Sequence, residues 1–265
     1  GADGRISIAA QARSDTYGPL SLTVSGTTTE PRARLRAPNP KLPVPLSGVD
    51  INLTTREGAY AVELNAASPY GPVAAQARIR PGPQGLSIQL ERASAVGLAL
   101  TGEIHATPAG PFAGELRLSG SGPSGGVRLS AAGAVQRADV DVRAMDASLA
   151  LRPPLVIDRG GLQATVLLNP EGPTATGRLT LQGVRREAVR IETAEARFDY
   201  RAGEGQATLT ARGGVPNPFT VALEAGFGRD AIRVSGQGSV NGVPIRLLQA
   251  AEIRRAGDEW RLQPT

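Results

Sequence analysis

One pattern runs through the chain from end to end. Apolar and polar residues alternate in runs of about six to nine, and each run breaks at Gly, Pro, Asn or Asp. Successive Cβ atoms of a strand point to opposite faces, so each run puts its apolar residues on one sheet face. Ile6, Ile8, Ala10 and Ala12 stand against Arg5, Ser7, Gln11 and Arg13. Leu20, Leu22 and Val24 come next, followed by Ala33, Leu35 and Ala37 against Arg32, Arg34 and Arg36. Then come Val49, Ile51, Leu53; Tyr60, Val62, Leu64; Val73, Ala75, Ala77, Ile79; and Leu86, Ile88, Leu90. Leu98, Leu100 and Ile104 lead to Phe112, Leu116 and Leu118, then to Val127, Leu129 and Ala131. Val140, Val142 and Leu149, Leu151 precede Leu162, Ala164, Val166, Leu168 and Ala175, Leu179, Leu181. The last runs are Ala194, Ala196, Phe198, Tyr200; Ala207, Leu209, Ala211; Phe219, Val221, Leu223, Ala225; and Ile232, Val234.

The pattern predicts an all-β chain of roughly sixteen to eighteen strands. Arg56-Glu57-Gly58, Pro81-Gly82-Pro83, Asp158-Arg159-Gly160-Gly161 and Ala202-Gly203-Glu204-Gly205 read as turns between them. Pro38 to Pro45 carries four prolines, which lack the ladder donor a central strand needs, so it reads as a loop. A short helix competes with strand only over Ile245 to Arg255, where Leu247, Leu248, Ala251 and Ile253 form a partial helical face between Pro244 and Gly257. No composition shift marks a domain boundary, and residues 1–265 read as one continuous β segment.

The apolar face must be hidden from water. A sandwich, a barrel, a solenoid or a curled sheet each does this. Aromatics are 3% of residues, too few for the girdles of a membrane barrel. No fixed rung length supports a parallel β-helix. Ala- and Gly-rich faces fill a layered sandwich core poorly. A curled, mostly antiparallel sheet with an open, small-residue interior fits best, and with strands ~4.8 Å apart it would be elongated.

No uncharged apolar stretch reaches the ~18–20 residues of a membrane helix. The chain opens Gly1-Ala2-Asp3 without Met or signal-peptide pattern, which reads as a processed form or an excised piece. With no Cys there is no disulfide, thiolate nucleophile or Cys-based metal site. The formal charge is +5, and Lys41 is the single lysine among 29 basic residues, an Arg-over-Lys bias typical of GC-rich bacterial genomes.

Strand–turn repetition with Ala, Gly, Leu and Val on the inner faces resembles the TamB family of AsmA-like, bridge-like lipid-transfer proteins, over nearly the whole chain. Asn241-Gly242-Val243-Pro244-Ile245-Arg246-Leu247 and Gly257-Asp258-Glu259-Trp260-Arg261-Leu262 are similar to recurring family turns into strands. The resemblance implies an internal segment of a β-taco groove in the Gram-negative periplasm, anchored in the inner membrane through a segment absent here. It implies phospholipid passage between the two membranes and support of outer-membrane protein assembly. It also implies a partner, an outer-membrane TamA-like barrel, met through parts absent here.

Each methylene exposed to water costs ~0.8 kcal/mol, so some thirty of them in a phospholipid amount to ~25 kcal/mol. An aliphatic trough removes most of that cost without chemistry. The candidate lining is the apolar set of the runs above, the Leu, Val and Ile residues together with Tyr60, Phe198 and Phe219. A second reading is a structural or adhesive extracellular β-repeat, passenger-like, with a filled core.

Other signals point to no catalysis, cofactor or nucleic-acid partner. His105 has the parity of the polar face and no Cys or His companion. Asp139 and Asp141 share a face with Arg137 and Arg143, which favours ion pairing over Ca²⁺ binding or acid–base work. Gly120-Ser121-Gly122-Pro123-Ser124-Gly125 matches G-x-G-x-x-G, but an alternating run follows where a dinucleotide site needs a helix. The Asn52-Leu53-Thr54 sequon falls inside a strand. The Arg32, Arg34, Arg36 stripe and Arg185-Arg186 lack the stacking aromatics of single-strand nucleic-acid readers. They read as a solvated outer face with some capacity for lipid headgroups.

Overall fold

The computed structural model describes residues 4–14, 18–40, 46–56, 58–83, 85–215, 217–228, 231–256 and 259–263. The described residues form strands and turns, with no helix. The chain divides into two compact units, Gly1–Gly120 and Ser121–Thr265.

The first unit is a meander of nine strands: β1 (Arg5–Ser14), β2 (Gly18–Thr27), β3 (Pro31–Ala37), β4 (Ser47–Arg56), β5 (Ala59–Ser68), β6 (Gly71–Gly82), β7 (Gly85–Ala95), β8 (Leu98–Ala106) and β9 (Phe112–Gly120). Each strand pairs antiparallel with the next in sequence. Short connections leave no room for a crossover, so sequence neighbours become sheet neighbours. The register aligns the apolar residues into transverse ladders. Ala10, Leu22, Leu35, Ile51, Leu64, Ala75, Ala93, Leu100 and Leu118 stand opposite one another in turn from β1 to β9. One irregularity lies in β7: Arg92 pairs with Gln76 but Leu90 with Ala77, which leaves Glu91 as an extra residue. This bulge moves the apolar parity from Leu86, Ile88, Leu90 to Ala93, Ala95 and keeps all five on one face.

The second unit holds β10 (Pro123–Ala132), β11 (Val135–Leu149), β12 (Leu155–Asn169), β13 (Gly172–Arg186), β14 (Val189–Arg201), β15 (Glu204–Val215), β16 (Phe219–Phe227), β17 (Ala231–Val240), β18 (Val243–Arg246), β19 (Ala251–Ala256) and β20 (Glu259–Gln263). It too is an antiparallel meander, except that β17 pairs along half its length with β18 and along the other half with β19. Between them the Leu247 N–H still donates to the Gly236 carbonyl of β17 at 3.0 Å, and β20 then pairs with β19.

Two sequence readings are settled here. The Ile245 to Arg255 window is strand, not helix: β18 and β19 both dock on β17, whose free backbone groups outweigh a partial helical face. Asp158-Arg159-Gly160-Gly161 is not a turn. It lies inside the fifteen-residue β12, and the chain reverses earlier, between Leu149 and Leu155. By contrast, Ala202-Gly203 is a two-residue turn with positive φ at both positions (48° and 100°), as is Asn241-Gly242 (52° and 77°), the twist that two-residue hairpins require. The Pro-rich stretch connects β3 to β4; Pro38 to Pro40 are described, with the Gly48 N–H donating to the Pro38 carbonyl at 2.7 Å. Residues 41–45 of that loop, Glu57 of the turn reading and Gly257-Asp258 of the final motif lie outside the described residues.

Candidate functional site: an uncovered aliphatic face

The strand residues of the candidate lining fall on one face of their own unit, while Leu151 lies in the connection between β11 and β12. In the first unit Ile8, Val24, Ala33, Leu53, Val62, Ala77, Leu90, Gly102 and Leu116 form a second ladder beside the one above. Tyr60, Ile79, Ile88 and Ile104 form a third, with Ile6, Leu20, Val49, Val73, Leu86 and Leu98 on the same face at its margins. In the second unit Val142, Leu162, Leu179, Ala196, Leu209 and Leu223 stand in line from β11 to β16. Val127–Val140–Ala164 and Leu129–Ala138–Val166 flank that line, and Phe198, Leu168, Leu181, Phe219 and Val221 share its side.

This face is not covered the way a core is. Among the described residues the buried aliphatic side chains, prolines aside, are Ala37, Val49, Ala59, Ala147, Ile157 and Val184, and no large side chain is fully buried. Most of the ladders are half-buried, and Ile8 (54%), Leu86 (44%) and Leu168 (57%) are exposed outright. The accessible surface is 17384 Å², whereas a compact protein of this mass would expose about 10,900 Å². The aliphatic side chains touch their neighbours in the sheet and leave their outer ends free.

The tightest packing centres on three residues that sequence reading did not name, with Leu149 and Leu181 of the named runs packed against them. Ala147, Ile157 and Val184 form a buried cluster, with Ala144, Leu149, Leu155, Leu181 and Ile191 packed around it. In four adjacent strands two apolar residues of one face stand three apart: Ala144/Ala147, Ile157/Gly160, Leu181/Val184 and Ile191/Ala194. A regular strand would put such residues on opposite faces. The step is made by Asp146 in β11 (φ 47°), by Gly183 in β13 (φ 63°), and by a register shift between β14 and β15 beside Ile191. A Cβ on Gly160 would lie 3.1 Å from Leu181 Cδ2, 3.4 Å from Ala144 Cβ and 3.5 Å from Ile157 Cγ2, so those side chains converge over it. Three strands further on, a Cβ on Gly213 would lie 2.3 Å from Phe219 Cε1, so the ring covers that glycine. The signal was present in the sequence as a parity change, from Val140 and Val142 to Leu149, within one strand.

The opposite face is polar, and its charges pair. Arg34 donates Nε–H to Asp50 Oδ1 at 2.8 Å and pairs again through Nη2, while Arg36 Nε stands 3.4 Å from the same carboxylate. The hydrogen bond from Arg34 holds the Asp50 carboxyl below its ordinary range. Asp139 accepts from Arg137 Nε at 2.8 Å and Nη2 at 2.9 Å, and from Thr165 Oγ1 at 2.7 Å. Arg137 first and Thr165 second lower its pKa. Asp141 lies 3.8 Å from Arg143, so both carboxylates face arginines in the manner their parity implied. Glu195 sits between Arg178 and Arg197, and Asp158 pairs with Arg185 at 2.7 Å.

His105 is exposed, opposite Ser87 and Ala113. Asn52 lies within β4. Gly120 to Gly125 passes from β9 into β10 with no helix. Among the described residues no three His, Asp or Glu side chains gather as a metal site would need.

Fold and face together define an antiparallel β-meander with an uncovered aliphatic side and an ion-paired polar side. No family model, no curated protein and no solved structure matches this chain.

Proposed function

We propose that the chain is a segment of a TamB-like lipid-transfer groove in the Gram-negative periplasm, whose aliphatic face shelters phospholipid acyl chains between the inner and outer membranes. The observation that carries this reading is the set of half-buried to exposed aliphatic ladders in each unit, on which no second layer packs among the described residues. A single apolar face on so many consecutive strands has to be hidden from water, and a curled sheet holding hydrocarbon hides it without a stacked core. Leu, Val, Ile and Ala linings are flat and non-specific, which suits a tail that slides. Ion pairing leaves the polar face well solvated. Contact with an outer-membrane TamA-like barrel, and the support of outer-membrane protein assembly, belong to the same proposal and would involve other parts of the protein.

The test is gentle extraction followed by lipid mass spectrometry, comparing the native chain with Leu22→Arg and Ile51→Glu. Phospholipid should co-purify with the native protein and fall several-fold in both variants while the strand signal in circular dichroism persists. A native protein that repeatedly emerges free of lipid would instead favour the structural or adhesive β-repeat.

A further inference from the structure

We infer that the stepped row across β11–β14 is a side wall that closes one margin of the acyl-chain site in the second unit, so that a bound tail lies across the strands in front of it. This rests on the lipid-groove reading above.

The argument is one of local coverage. Ala147, Ile157 and Val184 are 0%, 8% and 7% exposed, whereas the next ladder but one, Val142–Leu162–Leu179, is only half-buried on the same face. Protein atoms already fill the space over the stepped row, so a hydrocarbon gains nothing by entering it. The backbone is built to achieve this. The three-residue step recurs at the same level in four neighbouring strands, and it carries Ile157 over Gly160, which has no side chain to obstruct it.

A tail that cannot run on along the strands past this row still has open surface in the other direction. The ladder from Val142 to Leu223 crosses six strands without a charged residue. At ~4.8 Å per strand it offers about 24 Å of continuous aliphatic floor. The wall therefore sets the direction of the tail as well as its limit.

A photo-activatable diazirine amino acid placed singly at Leu162, Leu179, Leu209, Ile157 or Val184 tests this. The full chain is incubated with phosphatidylethanolamine–phosphatidylglycerol vesicles, irradiated and analysed for lipid adducts. Adducts at Leu162, Leu179 and Leu209 should exceed those at Ile157 and Val184 by at least tenfold. Equal labelling of floor and wall would overturn the wall while leaving the groove intact. Absence of adducts at every position, with Leu22 and Ile51 in the first unit probed in parallel, would overturn the groove reading itself. If a probe at Ile157 or Val184 unfolds the protein, Leu149 and Leu155, packed against the same cluster, supply the comparison.

Discussion

At the scale of single residues, the aliphatic side chains of this protein divide by what touches them. Ile157 is enclosed by Leu181, Ala144 and the rest of the cluster, whereas Leu86, on the same kind of face, is 44% exposed. Truncation of an enclosed aliphatic residue removes its transfer energy and leaves a cavity, while truncation of an exposed one removes little of either. Ile157→Ala should therefore cost about 2 kcal/mol or more, and Leu86→Ala should stay near the ~0.5 kcal/mol scatter of surface substitutions. Urea titration of the two variants beside the native chain checks this contrast. Equal losses would mean that Leu86 is covered in solution. Sequence reading placed Leu86 in a strand and Ile157 in none, and alternation cannot distinguish an enclosed position from an open one. Burial depends on which strand ends bend, and only Asp146, Gly183 and the shift at β14 decide that.

At the scale of strands, the polar face contributes weakly and in one pH direction. Exposed ion pairs are each worth roughly 0–1 kcal/mol. Asp50 and Asp139 have folded pKa values below the ordinary carboxylate value, so their contribution is fully present above that value. It is lost as pH falls through the lowered folded pKa. Thermal stability should thus be level from pH 8 to about pH 5 and decline below about pH 4. Asp50→Asn and Asp139→Asn should each lower the melting temperature at pH 7 and flatten that acid decline, measured by circular dichroism melts across pH. A decline centred near neutrality would contradict the assignment. Same-strand partners such as Arg137 and Asp139 were legible from spacing alone, because residues two apart share a face. Cross-strand partners such as Arg34 and Asp50, sixteen residues apart, needed the register of β3 on β4. The same holds for the bulge at Glu91, which exists only as a mismatch between two strands.

At the scale of the whole chain, the exposed area carries its own consequence. An unfolded chain of this mass exposes about 39,600 Å², so folding to 17384 Å² hides about 22,000 Å² against about 29,000 Å² for a compact protein. The denaturant m-value follows the area exposed on unfolding. The summed urea m-value of the two units should be about three-quarters of that expected for a compact 265-residue protein. Equilibrium unfolding monitored by circular dichroism checks it, and an m-value at the compact level would show that the aliphatic faces are covered in solution.

The amino-acid sequence by itself determined most of the strands, the turns at Ala202-Gly203 and Asn241-Gly242, and which side chains share a face within each regular run, because alternation and turn chemistry are local properties of the backbone. It also carried the aliphatic character of that face. Only the tertiary structure decided that Asp158 to Gly161 lies within a strand, that β18 and β19 divide the edge of β17, and that Ile157 and Val184 are enclosed while Leu162 and Leu179 are not. Those outcomes depend on pairing between residues distant along the chain, and on a backbone step repeated in adjacent strands. No single run of residues contains either.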